Sequence, residues 1–210
     1  MTRTTLQAHL LCSAGIIFIL IVDFSKADID GCPKIVEKEL WGARRYKATN
    51  YLVTPIPYVI MHQTRSTDCY SFNECAKVIG GIQDSRMDDL HWNDIGDSFM
   101  VGGDGNVYEG TGWFMEGAHT HLYNKKSISI SFIGYYHNSF RNGTHEITML
   151  REVNDKALKA AHDLIICGKN RGYLRNDVKV IAARQVRPTV NPGDLVFAQI
   201  QKWPEWVVEP

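Results

Sequence analysis

Residues 58–62 read YVIMH: Tyr58, Val59, Ile60 and Met61 form a dense apolar, β-branched run that ends on His62. A run of this length and composition predicts a buried strand. Working outward, Ser71 and Glu74 form a capping box that opens a helix, with Cys75, Val78, Ile79 and Ile82 on its inner face. Residues 99–102 and 106–109 flank Gly103-Asp104-Gly105, a turn signal that predicts a hairpin. Residues 127–134 (SISISFIG) alternate polar and apolar side chains, as a further strand does. From 147 to 167, Leu150, Val153, Ala157, Ala161 and Leu164 trace a helical stripe that Gly168 is expected to end. Residues 178–182 read as a short strand, and Pro192-Gly193 precedes a last helix through Ile200. Segment 28–57, with Pro33, Pro55 and Pro57, reads as irregular. The order β-α-β-β-β-α-β-α predicts an α/β fold: a mixed central β-sheet flanked by α-helices in one domain.

The amino terminus carries an export pattern. Arg3, an apolar stretch over 10–22 and Ser25-Lys26-Ala27 predict a signal peptide over 1–27, leaving a single domain over 28–210. The apolar stretch is shorter than the ~20 residues a membrane span needs; an uncleaved anchor is the competing reading. The chain has 23 basic and 23 acidic side chains, and removal of the leader hardly alters that balance. Near-zero charge without a Lys/Arg block argues against a nucleic-acid or membrane-surface partner. Cys12 leaves with the leader, so four cysteines remain, an even number that in an exported chain predicts two disulfides. Of three connectivities, local and terminal placement favours Cys69–Cys75 and Cys32–Cys167. Loop-closure entropy gives about 2 kcal/mol for the short loop and about 5 kcal/mol for the long one. A zinc site built from these cysteines competes poorly, because no Cys-x-x-Cys spacing occurs. Asn142-Gly143-Thr144 is a glycosylation sequon.

Eight histidines invite a search for a metal site. His62 ends an apolar strand and His119 follows Gly117-Ala118, but a catalytic zinc needs three protein ligands and an open position. Spacing alone does not complete that set.

Eight blocks, in order, give the chain a resemblance to the peptidoglycan recognition protein family. They are Trp41-Gly42-Ala43-Arg44, Pro57-Tyr58-Val59-Ile60, Trp92-Asn93-Asp94-Ile95-Gly96, residues 101–113 (VGGDGNVYEGTGW), Gly117-Ala118-His119, Ser131-Phe132-Ile133-Gly134, residues 189–193 (TVNPG) and Trp203-Pro204. The resemblance implies an amidase-type α/β fold with a groove for the muramyl peptide stem of bacterial peptidoglycan. In amidase members zinc is held by a His that His62 matches, by a His whose place Ala183 takes, and by a Cys whose place Asn191 takes. A Tyr that assists catalysis is replaced by Asp97. No zinc cofactor and no enzymatic activity are therefore expected, since nothing else would lower the pKa of an attacking water.

The resemblance also places His62, Thr64, Trp92, His119 and Asn124 in the peptide cleft. Gln63, Arg86 and Asp97 depart there from a His, a His and a Tyr. Thr111 stands where members that prefer diaminopimelate stems carry an Arg, and His91-Trp92 occupies the upstream pair. Without that Arg a charge-assisted contact to the extra carboxylate is lost, so lysine-type peptidoglycan is favoured. The implied function is that of a secreted pattern-recognition receptor of innate immunity, similar to short arthropod members that start a Toll-type protease cascade. Its partners would be peptidoglycan and a co-receptor or serine-protease component. A zinc-dependent N-acetylmuramoyl-L-alanine amidase and a non-binding adaptor or decoy are the alternatives.

Overall fold

The structure is a computed structural model that describes residues 31–137 and 152–210. The expected leader, the Asn142 sequon and the start of the 147–167 stripe lie outside the described residues. The YVIMH run lies within β2 (Ile56–Gln63), which pairs in parallel with β5 (Ser127–Phe132) on one side and β6 (Leu174–Ala182) on the other. From Val59 to Gln63 the strand is buried on both faces, which is why its apolar run is continuous. The sheet continues through β3 (Phe99–Val101) and β4 (Val107–Glu109), the predicted hairpin, to β1 (Ile35–Val36). Its order is β1-β4-β3-β5-β2-β6, with β3 and β4 antiparallel and the other pairs parallel.

Alternation along β5 sorts the two faces. Ile128, Ile130 and Phe132 join Val59 and Met61 under α2 (Asp155–Asn170) and α4 (Asp194–Ile200). On the other face α1 (Phe72–Asp84) lays Cys75 and Ile79 against Ile95, Met100 and Tyr108. Ser127, Ser129 and Ser131 are buried as well. They are satisfied internally: Ser98 and Ser129 exchange backbone-to-hydroxyl hydrogen bonds at 2.9 and 3.1 Å, and Ser127 donates to the Tyr123 carbonyl at 2.7 Å. Buried hydroxyls require such partners.

The sequence expectations need four corrections. Segment 28–57 contains β1, whose two residues are too few for any periodicity. Strand β6 begins at Leu174, four residues before the expected start, because its exposed Arg175-Asn176-Asp177 run resembles a loop. Val153 precedes α2 instead of lying on it, since the Asn154 side chain caps the helix by accepting from the Ala157 N–H at 2.9 Å. Finally, α2 runs past Gly168. Gly172, at φ +72°, sits in the left-handed region; its N–H donates to Lys169 O (3.1 Å) and Tyr173 N–H to Gly168 O (2.9 Å). That pair of bonds is a Schellman stop. Gly168 serves close packing: a Cβ there would come within 2.7 Å of Trp113. A four-residue helix, α3 (Ala183–Val186), follows β6 directly. Among the described residues no helix is long and apolar enough to cross a membrane.

Both disulfides form as expected. Cys32–Cys167 closes a separation of 135 residues and ties the N-terminal segment to α2, and Cys69–Cys75 spans 6 at the start of α1. Chemical denaturation should therefore show a Cys32→Ser/Cys167→Ser variant losing about 2–5 kcal/mol, and a Cys69→Ser/Cys75→Ser variant about 2 kcal/mol or less. Equal losses, or a larger loss for the short loop, would contradict the assignment of the long bridge as the main staple.

Candidate functional site

The carboxyl ends of β2 and β6 point to the same side of the sheet, where open α/β sheets place their ligands. Two cavities open there and share Trp92 and Ala118. The smaller, about 160 Å³, is lined by His62 from the end of β2, Ala183 from the end of β6, Asp97, Arg86, His119 and Asn191 among others. The wider, about 380 Å³, has His91, Trp92, Thr111 and Asn124 in its walls.

Asp97 is buried beneath the smaller cavity. Burial pushes its pKa up, but the Arg86 charge and the Ser131 hydroxyl outweigh it and hold the carboxyl below its usual range. Arg86 comes from the π-helical turn Ser85–Asp89 that continues α1. It donates to Asp97 and to the Ile95 carbonyl, and its guanidinium lies 5.3 Å from the centre of the Trp92 ring. The ring in turn lies over Gly96, at φ +84°, where a Cβ would come within 2.6 Å of it. Arg86, Asp97, Trp92 and Gly96 thus form one locked unit between the cavities.

His62 and His119 share a single hydroxyl: His62 Nε2 is 3.0 Å and His119 Nδ1 3.2 Å from Thr120 Oγ1. The rings meet edge to face at 5.7 Å. Desolvation lowers the pKa of His62 to about 4 and that of His119 to about 3, so both are neutral at physiological pH. One hydroxyl carries one proton, so Thr120 donates to one ring and accepts from the other. Among the described residues, the buried His119 Nε2 meets no hydrogen-bond partner at normal geometry.

The residues at the positions implied for zinc do not fit the metal. His62 Nε2 is engaged by Thr120, Ala183 offers a methyl group, and Asn191 is turned to the backbone. Its Oδ1 accepts from Gln63 N–H at 2.7 Å, and its Nδ2 donates to Gln63 O at 3.3 Å. The Asn191 amide therefore extends the ladder at the end of β2.

Nine of the ten residues singled out from sequence line one or both of these cavities: His62, Gln63, Arg86, Trp92, Asp97, His119, His91, Thr111 and Asn124. Three of the ten also hold the surrounding fold. The Gln63 Oε1 accepts from Tyr136 N–H, while its buried Nε2 meets no hydrogen-bond partner among the described residues. The Asn124 Oδ1 accepts from the N–H groups of His119 and Thr120 at 3.2 and 2.7 Å, shaping the loop. Thr64 lies in a third, open groove with Arg86 and the outer side of α1, and its hydroxyl accepts from Gly134 N–H at 3.0 Å. Sequence reasoning missed Ala118, Arg187 and Thr189 in the smaller cavity, and Tyr46, Asn50 and Glu116 in the wider one. No periodic signal marks residues 46–50; only the adjacent Trp41-Gly42-Ala43-Arg44 block hinted at a role for that segment.

The two neutral imidazoles give stability a pH dependence. In the unfolded chain each titrates near 6.5, whereas the folded chain refuses the proton until about pH 4 for His62 and about pH 3 for His119. Stability should be fully present above about pH 6.5 and fall as pH drops below it, by up to about 1.4 kcal/mol per pH unit per histidine. Urea denaturation between about pH 7.5 and about pH 4.5 should show this slope, and it should be shallower in His62→Gln. Stability independent of pH across that window would contradict the buried neutral pair.

Comparison with known proteins accords with this geometry. The family described as N-acetylmuramoyl-L-alanine amidase matches residues 52–194. Peptidoglycan-recognition protein 2 of Holotrichia diomphalia is 39% identical over 173 residues, 82% of this chain and 86% of the relative. The crystal structure of Apis mellifera PGRP-SA superposes with a TM-score of 0.77 at 49% identity, covering 84% of this chain and 100% of that one. A further structure similar to the chain, at 34% identity and TM-score 0.75, covers 83% of this chain and 98% of that one. It is of tracheal cytotoxin bound to the ectodomain complex of peptidoglycan recognition proteins LCa and LCx. With the sheet, the cavities at its carboxyl edge and these likenesses together, the chain belongs to the peptidoglycan recognition protein family.

Proposed function

We propose that this protein is an exported receptor of innate immunity that binds bacterial peptidoglycan through its muramyl stem peptides and does not hydrolyse them. The observation that carries this reading is the smaller cavity, where His62 faces Ala183 and the backbone-bound Asn191. Ala183 and the backbone-bound Asn191 leave the set of three protein ligands that a catalytic zinc needs incomplete, and Asp97, paired with Arg86, is held ionised and weakly basic. The surrounding groups suit recognition instead. Trp92 offers an apolar wall between two cavities lined by hydroxyl, amide and imidazole groups, a composition that matches a peptide rich in amides.

Lysine-type stems are the preferred ligand in this reading. Thr111 contributes a neutral hydroxyl to the wider cavity, and no lysine or arginine lines it. An extra stem carboxylate placed there would lose water without gaining a cation. Export follows from the expected leader over 1–27, and the two disulfides suit an oxidising compartment. In one similar structure tracheal cytotoxin is bound to a complex of two family members, which supports a co-receptor. A serine-protease component of a Toll-type cascade is the other downstream partner we infer.

Pull-down on insoluble lysine-type and diaminopimelate-type peptidoglycan, side by side at about pH 7.5, tests the assignment. The native chain should bind the lysine type at least as well, and Thr111→Arg should shift preference toward diaminopimelate by about 1–3 kcal/mol. No retention on either polymer would remove the receptor reading. A clear diaminopimelate preference that Thr111→Arg leaves unchanged would remove the ligand assignment.

A further inference from the structure

Glu116 is the acid in the wider cavity that the fold leaves without a counter-charge. Asp94, the other acid in its wall, is buried, paired with Lys38, and accepts from the Gln83 amide at 2.8 Å and Ile95 N–H at 2.7 Å. The Glu116 carboxylate makes no ion pair or hydrogen bond with any described residue. Its starting point is fixed, because Glu116 N–H donates to Asn50 O at 2.8 Å. The 46–50 wall is held in turn by Lys47, whose N–H donates to Asn93 O at 2.8 Å and whose Nζ donates to Met87 O at 2.7 Å. Glu116 is half-buried, and the cavity it faces contains neutral hydroxyl, amide and aromatic groups but no lysine or arginine. A half-buried carboxylate on a fixed backbone, in a cavity without lysine or arginine, selects a positively charged group on the ligand.

We propose that Glu116 receives the side-chain ammonium of the third stem residue, so that the protein distinguishes stems with a free amine from stems whose amine is acylated, as it is in a cross-link. This inference rests on the receptor reading above and deepens it. Acylation turns the ammonium into a neutral amide and removes the charge that Glu116 would pair with. A second carboxylate at the same place would be repelled by it.

The test uses the full mature chain and two soluble probes: a muramyl tripeptide ending in L-lysine, and the same compound acetylated on the lysine side-chain amine. Calorimetry of the native chain should show acetylation weakening binding by about tenfold, the scale of a partly shielded charge-assisted contact. Glu116→Gln, which preserves shape, should bind the free-amine probe about tenfold more weakly than the native chain and should not distinguish the two probes. Equal binding of both probes by the native chain would overturn the inference and leave the receptor reading intact. A preference for the free amine that persists in Glu116→Gln would also overturn it, since another group would then be reading the charge. Failure of the native chain to bind either probe would remove the receptor reading and this inference with it.

Discussion

Asp97 places an ionised carboxylate beneath the smaller cavity, almost wholly withdrawn from water. A charge removed from water is costly unless it is paired and its lone pairs are met. Arg86 and the Ser131 hydroxyl meet that requirement, and by doing so they set much of the surrounding structure. Arg86 must leave α1 through a π-helical turn to reach Asp97, and it carries Trp92 with it by stacking. Trp92 then fits only over a residue without a Cβ, which is Gly96. Removing either member of the pair would leave the other charge buried and alone, at a cost of about 3–5 kcal/mol. The edge of the binding surface and the end of α1 therefore depend on one ion pair.

That pair also fixes what the site can do. Arg86 neutralises the carboxylate nearest His62, and Thr120 joins two imidazoles that burial keeps uncharged. The result is a set of directional neutral donors and acceptors around an aromatic wall. Asn191 extends this logic with an amide that copies a strand's hydrogen-bond pattern at the end of β2.

Much of the fold was legible because it follows from periodicity and turn chemistry. YVIMH marks a doubly covered strand, SISISFIG marks a strand with distinct faces, and Gly103-Asp104-Gly105 marks the hairpin. The serine face of β5 was readable as alternation but not as burial, because its partners, Ser98, Asp97 and Tyr123, are distant or unpatterned in sequence. Gly168 and Gly172 look alike as letters; only backbone geometry distinguishes the close-packing glycine from the left-handed stop. The site divides in the same way. His62 ends a strand and can be found from the run that precedes it, whereas the Arg86–Asp97 pair joins residues from separate elements. Glu116 and the 46–50 wall belong to segments without periodicity, and their role emerges only when the loops close on Trp92.

The central claim is that the cavities bind a muramyl peptide without cleaving it. Equilibrium dialysis of the native chain against a soluble muramyl tripeptide, with and without added zinc, followed by mass spectrometry of the recovered ligand, tests both halves together. Saturable binding that zinc leaves unchanged, with the tripeptide recovered intact after prolonged incubation, is the expected result. Zinc-dependent release of the peptide from its lactoyl group, or no binding at all, would contradict the account.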